Sequence, residues 1–338
     1  MTGAGRRVLV TGASGFVGRR VVEPLVARGF DVHAVARSVP AGARGDEGGD
    51  EAERAGGLAC TGGAERAGAE VARGGGDVVW HAADLLDAAA RRALVARVGA
   101  SHLLHLAWYA EPGAFWAARE NAPWVAATVG LVDEFAAAGG VRATIAGTCA
   151  EYDWSAPQPL REDAPLAPAT YYGACKDATR RVVAGLAEIA GVSLAWGRIF
   201  FLYGPGEDER RLVASVARAL AAGERAATSA GTQRRDFLHV DDVAGAFAAI
   251  LDCDVRGAVN VASGEAATVR FIVEQLARAA DRPDLLDVGA LPDRPGDPPV
   301  IAADVGRLRD EVGFTPHWSL AAGLAGTARW WSAQAGTR

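Results

Sequence analysis

No two of the four cysteines in this chain, Cys60, Cys149, Cys175 and Cys253, stand at Cys-x-x-Cys spacing, and no histidine pair stands at zinc-ligand spacing. They read as reduced thiols of a cytoplasmic protein, and no metal is expected. A basic field is missing as well: the net charge is −6 and the pI near 5.6, so nucleic acid is not an expected partner. Long apolar runs are absent. The N-terminal "VLV" is far too short for a signal-peptide core, and "VSLAWGRIFFLYG" is interrupted by Arg198 and falls well under the roughly 20 residues of a membrane helix. Neither export nor membrane insertion is expected.

What is present is an ordinary globular composition, half hydrophobic and 22% charged, in 338 residues. That length accommodates one large α/β domain with a smaller lobe. The segment "RRVLVTGASGFVGRRVVEPLVARGFDVHAVAR" reads as strand, glycine turn, amphipathic helix and second strand, with Pro24 inside the helix at the expense of a hydrogen bond. Residues 41–76 are about a third glycine and predict a flexible surface insertion. Beyond them, "DVVWHAADLLD", "SHLLHLAW", "VRATIAGTCAEYD" and "VSLAWGRIFFLYG" read as strands separated by alanine-rich helices, which predicts a Rossmann-type doubly wound parallel sheet. After residue 203 the rhythm changes to helices at about 208–223 and 268–281 and a proline-rich run, "LPDRPGDPPV". The expected division is a dinucleotide-binding domain over 1–202 and a substrate-binding lobe over 203–338, with 235–262 returning to the first domain.

In "VTGASGFVG", Gly12, Gly15 and Gly18 follow a strand and open a helix, so backbone amides can approach a pyrophosphate without a side chain in the way. Ser14, Phe16 and Val17 complete that turn as cofactor-contacting positions. The second strand ends in Arg37 and Ser38, where an arginine suits an adenosine 2′-phosphate; NADP(H) rather than NAD(H) is the expected cofactor. Asp84 and Leu85 after the third strand are placed to meet adenine, and Leu106, Ala107 and Trp108 end the fourth near the ribose and nicotinamide. In "ATYYGACKDATR", Tyr172 and Lys176 are four apart and share a helix face, whereas Tyr171 points elsewhere.

These motifs, with "GTCAEY", "RIFFLYGPGE", "RRDFLHVDDVA", "NVASGE" and "RPGDPP" in order, resemble the extended short-chain dehydrogenase/reductase family, the branch of nucleotide-sugar epimerases, dehydratases and ketoreductases. The resemblance implies that Tyr172 protonates a carbonyl oxygen while the nicotinamide delivers hydride. It implies too that Lys176 acidifies Tyr172 and holds the ribose, and that Thr148 hydrogen-bonds the substrate oxygen. Arg235 and Arg294 are the implied diphosphate ligands; Trp108, Thr148, Glu151, Phe200 and Phe201 are further expected substrate contacts. Phe201 stands where many members carry a phosphate-binding asparagine. Cys149 and Cys175 flank the catalytic positions, as a second acid or base or as small buried residues.

Cys149 and Ala150 replace the Asp-Glu pair of the dehydratases, so that reaction is disfavoured. The expected activity is NADPH-dependent reduction of a nucleotide-linked 4-keto sugar. The alternatives are a nucleotide-sugar epimerase, a non-catalytic dinucleotide sensor, and reduction of a small ketone in a pocket lined by Phe200, Phe201, Trp108 and Trp154. The family also implies a homodimer through the helix at about 114–139 and the one carrying Tyr172.

Overall fold

The computed structural model describes residues 6–40 and 78–336; the glycine-rich insertion expected at 41–76 lies outside the described residues. Strands β1 (Arg6–Thr11), β2 (Phe30–Ala36), β3 (Val79–Ala82), β4 (His102–His105), β5 (Arg142–Thr148) and β6 (Ser193–Ile199) alternate with helices α1 (Gly18–Ala27), α2 (Ala88–Val98), α3 (Asn121–Ala137) and α4 (Tyr171–Ala190). They continue into β7 (Phe201–Tyr203), α5 (Leu212–Ala221), β8 (Ala226–Thr228), β9 (Arg234–His239), α6 (Val240–Asp252), β10 (Gly257–Val261), β11 (Ala266–Thr268) and α7 (Val269–Ala279). Last come β12 (Leu286–Val288), β13 (Val300–Ile301), α8 (Gly306–Asp310) and α9 (Leu320–Ala335).

The central sheet has the order β10-β6-β5-β4-β1-β2-β3, and every pair in it is parallel. Because helices cover both faces of such a sheet, its strands bury successive side chains on opposite sides. In β1, Val8 and Val10 join Val21 and Leu25 of α1 and Val243, Phe247 and Ile250 of α6, while Leu9 joins Leu94 of α2, Leu131 and Phe135 of α3 and Val183 of α4. The order reverses between β1 and β4, and the crevice beyond their C-terminal ends is where ligands of such sheets bind. Thr11 of β1 is in register with His105 of β4, so the glycine turn and the segment Leu106–Trp108 leave the sheet side by side.

A second assembly packs α5, α7 and α9 around Tyr203, Phe237, Ile272, Leu276 and Leu324, against β9 and its neighbours β7, β11 and β13. α6 and β10 return to the central sheet from it, β10 pairing with β6. Pro24 lies inside α1, which ends three residues later; Arg28 donates to the Pro24 carbonyl at 3.1 Å. The helix expected at about 114–139 starts only at Asn121, after a turn-rich segment that carries Phe115 and Trp116.

Candidate active site

Gly12 adopts φ +69°, and a Cβ there would stand 2.8 Å from Ala107 N, so this turn is closed to side chains on two counts. At Gly18 a Cβ would overlap the Gly12 carbonyl oxygen, and α1 can begin against the turn only as glycine. Arg37 and Ser38 are exposed immediately past β2, and Asp84 is exposed past β3, where its Oδ1 accepts from Leu86 N at 3.0 Å. A glycine turn closed to side chains, with exposed polar residues just past the ends of β2 and β3, fits a dinucleotide. Leu85, expected to meet adenine, is buried in the core under α2, and its carbonyl accepts from Arg91.

The N-terminus of α4 is set by Thr170, whose hydroxyl accepts from Gly173 N at 3.1 Å. Helical spacing then turns Tyr172 and Lys176 inward while Tyr171 stays 45% exposed. Tyr172 is walled by Phe115 and Trp116, edge-to-face at 4.9 and 5.9 Å, and its amide donates to the Trp116 carbonyl at 3.1 Å. Its hydroxyl interacts with Thr148, which ends β5. Burial pushes the phenol above its ordinary value; Thr148 and Arg211 oppose this, and Glu151 and Cys149 add to it. The acidification expected from Lys176 is therefore not supplied by the side chains in this arrangement.

The Lys176 ammonium is buried, donates to the Ala146 carbonyl at 2.9 Å and stands 3.8 Å from the centre of the Trp108 ring. Burial pulls it down to about 7, with Glu151 acting in the opposite direction. Trp108 is held by Asn121, which accepts from its Nε1 at 2.8 Å and donates to the carbonyls of Phe115 and Ala118. Phe115, Trp116 and Asn121 were not singled out in the sequence; the aromatic pair "FW" between β4 and α3 is the signal that could have found them.

The structure places the other expected substrate contacts as follows around this set. Glu151 is fully buried beneath Thr148 and is engaged by Thr148 N, Trp196 Nε1 and Arg198 Nε, each at 2.8 Å. Phe200 is buried in the core beside Tyr152. Phe201 is partly buried against Phe237, with the Arg235 guanidinium 5.6 Å from its ring centre. Arg235 itself is buried and held by Asp297 at 2.6 Å and by the carbonyls of Arg234 and Pro298. Arg294 is exposed in the turn leading to Asp297. Burial pushes the Cys149 thiol up to about 12 and raises the Cys175 thiol as well.

A parallel sheet with a glycine turn at its switch point, and a Thr-Tyr-Lys set on β5 and α4, defines an extended short-chain dehydrogenase/reductase. Residues 8–262 match the model of the NAD dependent epimerase/dehydratase family, and the chain belongs to that family. It is 30% identical to a dTDP-6-deoxy-L-talose 4-dehydrogenase (NAD(P)(+)) of Kitasatospora kifunensis, covering 93% of this chain and 92% of that one. It is 27% identical to a UDP-glucose 4-epimerase of Corynebacterium glutamicum over 92% and 91% of the two chains. Among solved structures it is similar to MoeE5 in complex with UDP-glucuronic acid and NAD, with TM-score 0.75 and 27% identity over 97% and 99% of the chains. The fold likewise matches a UDP-glucose 4-epimerase of Thermotoga maritima, with TM-score 0.79 at 21% identity over 97% and 99%.

Proposed function

We propose that this chain reduces the 4-keto group of a nucleotide-linked deoxysugar with NADPH. Arg37 carries the reading: exposed at the end of β2, beside the glycine turn, it offers forked charge-assisted donors to an adenosine 2′-phosphate. The Kitasatospora relative, a 4-dehydrogenase named for NAD(P)+, and the family's nucleotide-sugar epimerases support both halves of it.

The nicotinamide, when bound, supplies the hydride. Tyr172 gives its proton to the carbonyl oxygen, and Thr148 holds that oxygen in place and then the phenolate left behind. The ammonium of Lys176 orients the cofactor ribose. Glycines 12, 15 and 18 admit the pyrophosphate, and Trp108 closes the nicotinamide end. Residues beyond 203 form the substrate lobe; of the stretch 235–262 expected to leave it, β9 stays with the second sheet, and α6 and β10 return to the central one. In the lobe Arg294 meets the sugar diphosphate, while Arg235 anchors Arg294's turn through Asp297 and Pro298.

The chain acts as a homodimer through α3 and α4. On α4 the outward stripe Tyr171, Ala174, Ala178, Val182, Gly185 and Ile189 is exposed and carries no charge, with Val182 51% and Ile189 88% exposed. Sedimentation at micromolar concentration should show a dimer, and Val182→Glu a monomer.

Fluorescence titration tests the cofactor assignment. NADPH should bind more tightly than NADH by about one to two decades, and Arg37→Ala should weaken NADPH alone by roughly 1.5–3 kcal/mol. Equal affinities in the wild type would place Arg37 in solvent and overturn the assignment.

A further inference from the structure

We propose that Glu151, clamped by Arg198 beneath the site, is a positioning residue that fixes Thr148 and acts on Lys176 through its charge. The inference rests on Thr148 and Lys176 being the working residues above.

The end of β5 is gripped at two successive peptide groups. Lys176 donates to the Ala146 carbonyl at 2.9 Å, and the Thr148 amide donates to Glu151 Oε1 at 2.8 Å. Between them lies Gly147, where a Cβ would overlap Trp196 Nε1 and stand 2.7 Å from Glu151 Oε1. Glycine lets the carboxylate lie flat against the strand. The Thr148 hydroxyl accepts in turn from the Ala150 amide at 3.2 Å, closing a reciprocal cap over the short turn Cys149–Glu151.

The other carboxylate oxygen, Oε2, accepts from Arg198 Nε at 2.8 Å, and Arg180 Nε stands 3.9 Å away. Arg198 continues into the Tyr152 hydroxyl at 2.8 Å, and Tyr152 donates to Asn260 Oδ1 at 2.7 Å. The side chains of Glu151 and Arg198 are 0% and 1% exposed. A charge held this far from water is screened little, and its bonds leave it one rotamer.

Lys176 faces the Trp108 ring, the Ala146 carbonyl and His105 of β4, and Tyr172 precedes it by about one turn of the same helix. His105 is neutral, its ionisation pulled down to about 3 by burial and by Lys176, and it is bonded to Thr11 and Thr128. Cys149 is a neutral thiol. Among these groups Glu151 is the anion that favours the ammonium.

The test uses a property of the whole chain: Lys176 is its only lysine. Protein grown on lysine labelled with carbon-13 at Cε gives one side-chain signal, whose pH titration reports Lys176 without any substrate. Glu151→Gln keeps the side chain's shape and an acceptor for Thr148 N and removes the charge. The Lys176 midpoint should fall by about one pH unit. With a nucleotide 4-keto sugar, the high-pH decline of kcat should move to lower pH by the same amount with little change in KM, and Glu151→Asp should restore part of both.

If Glu151→Gln does not fold because Arg198 is left unpaired, the double variant Glu151→Gln/Arg198→Met removes both charges together and should show the same direction of shift. A Lys176 midpoint unmoved in whichever variant folds overturns the proposal. An unmoved midpoint is separable from failure of the proposed reaction, which would leave the titration intact and abolish turnover on the sugar in the wild type.

Discussion

The ammonium of Lys176 lies 3.8 Å from the centre of the Trp108 ring, a buried cation against the face of an indole. Trp108 comes from the end of β4 and Lys176 from α4, so this contact ties the cofactor side of the crevice to the catalytic helix. Desolvated contacts of this kind are worth about 2 kcal/mol. Trp108→Leu should therefore lower kcat/KM about tenfold or more, while Trp108→Phe, which keeps a π-face, retains most of it. Steady-state kinetics of the two variants checks the ordering; equal losses would mean that the ring matters only as bulk.

Tyr172 and Tyr171 are adjacent in sequence and opposite in surroundings, one walled by Phe115 and Trp116 and the other 45% exposed. Tyr172→Phe should cut kcat by about a hundredfold or more, on the scale of a lost general acid, with cofactor affinity retained. Tyr171→Phe should stay within about twofold on the same general-acid scale. Wild-type turnover in the first variant would remove Tyr172 from the chemistry.

Gly18 and Gly326 separate packing from backbone freedom. At Gly18 a Cβ overlaps the Gly12 carbonyl, while at Gly326 in α9 nothing lies within 4 Å. Gly18→Ala should destabilise by about 1–3 kcal/mol and weaken dinucleotide binding. Gly326→Ala should stabilise by up to about 1 kcal/mol. Denaturant unfolding with and without cofactor measures both, and a neutral Gly18→Ala would argue that the turn is looser than described.

Much of this was legible in the chain. The period-two strands and the glycine turn are local patterns, and the buried faces of β1 and the closed geometry at Gly12 follow from them. Tyr172 could be told from Tyr171 because helix spacing alone decides it. Glu151 could not be placed this way. Its partner Arg198 comes from β6, and the short turn after Thr148 folds its carboxylate under the strand instead of into the crevice. The partners of Arg235 were equally out of reach, since Asp297 and Pro298 meet it from across the second sheet. Leu85 follows its strand as expected, but α2 closes over it.

Glu207, before α5, is 7% exposed, and its Oε2 has no hydrogen-bond partner. Burial pushes its carboxyl up to about 8. The unfolded value is about 4.3, so between the two the folded state binds the extra proton and stability falls as pH rises. Glu207→Gln cannot ionise and should escape that loss. Its thermal midpoint should exceed that of the wild type by about 2 °C more at pH 8 than at pH 5. Parallel midpoints at both pH values would contradict the buried placement.

Reduction and epimerisation differ in whether the cofactor is consumed. Purified protein should be mixed with excess NADPH and a limiting nucleotide-linked 4-keto-6-deoxysugar, following nicotinamide absorbance alongside the sugar nucleotide. NADPH oxidation should stop after one equivalent per sugar, with free NADP+ in solution and a 4-hydroxy product. Conversion of a 4-hydroxy nucleotide sugar to its epimer with no net change in nicotinamide absorbance, and no oxidation of NADPH by the keto sugar, would contradict the reductase reading.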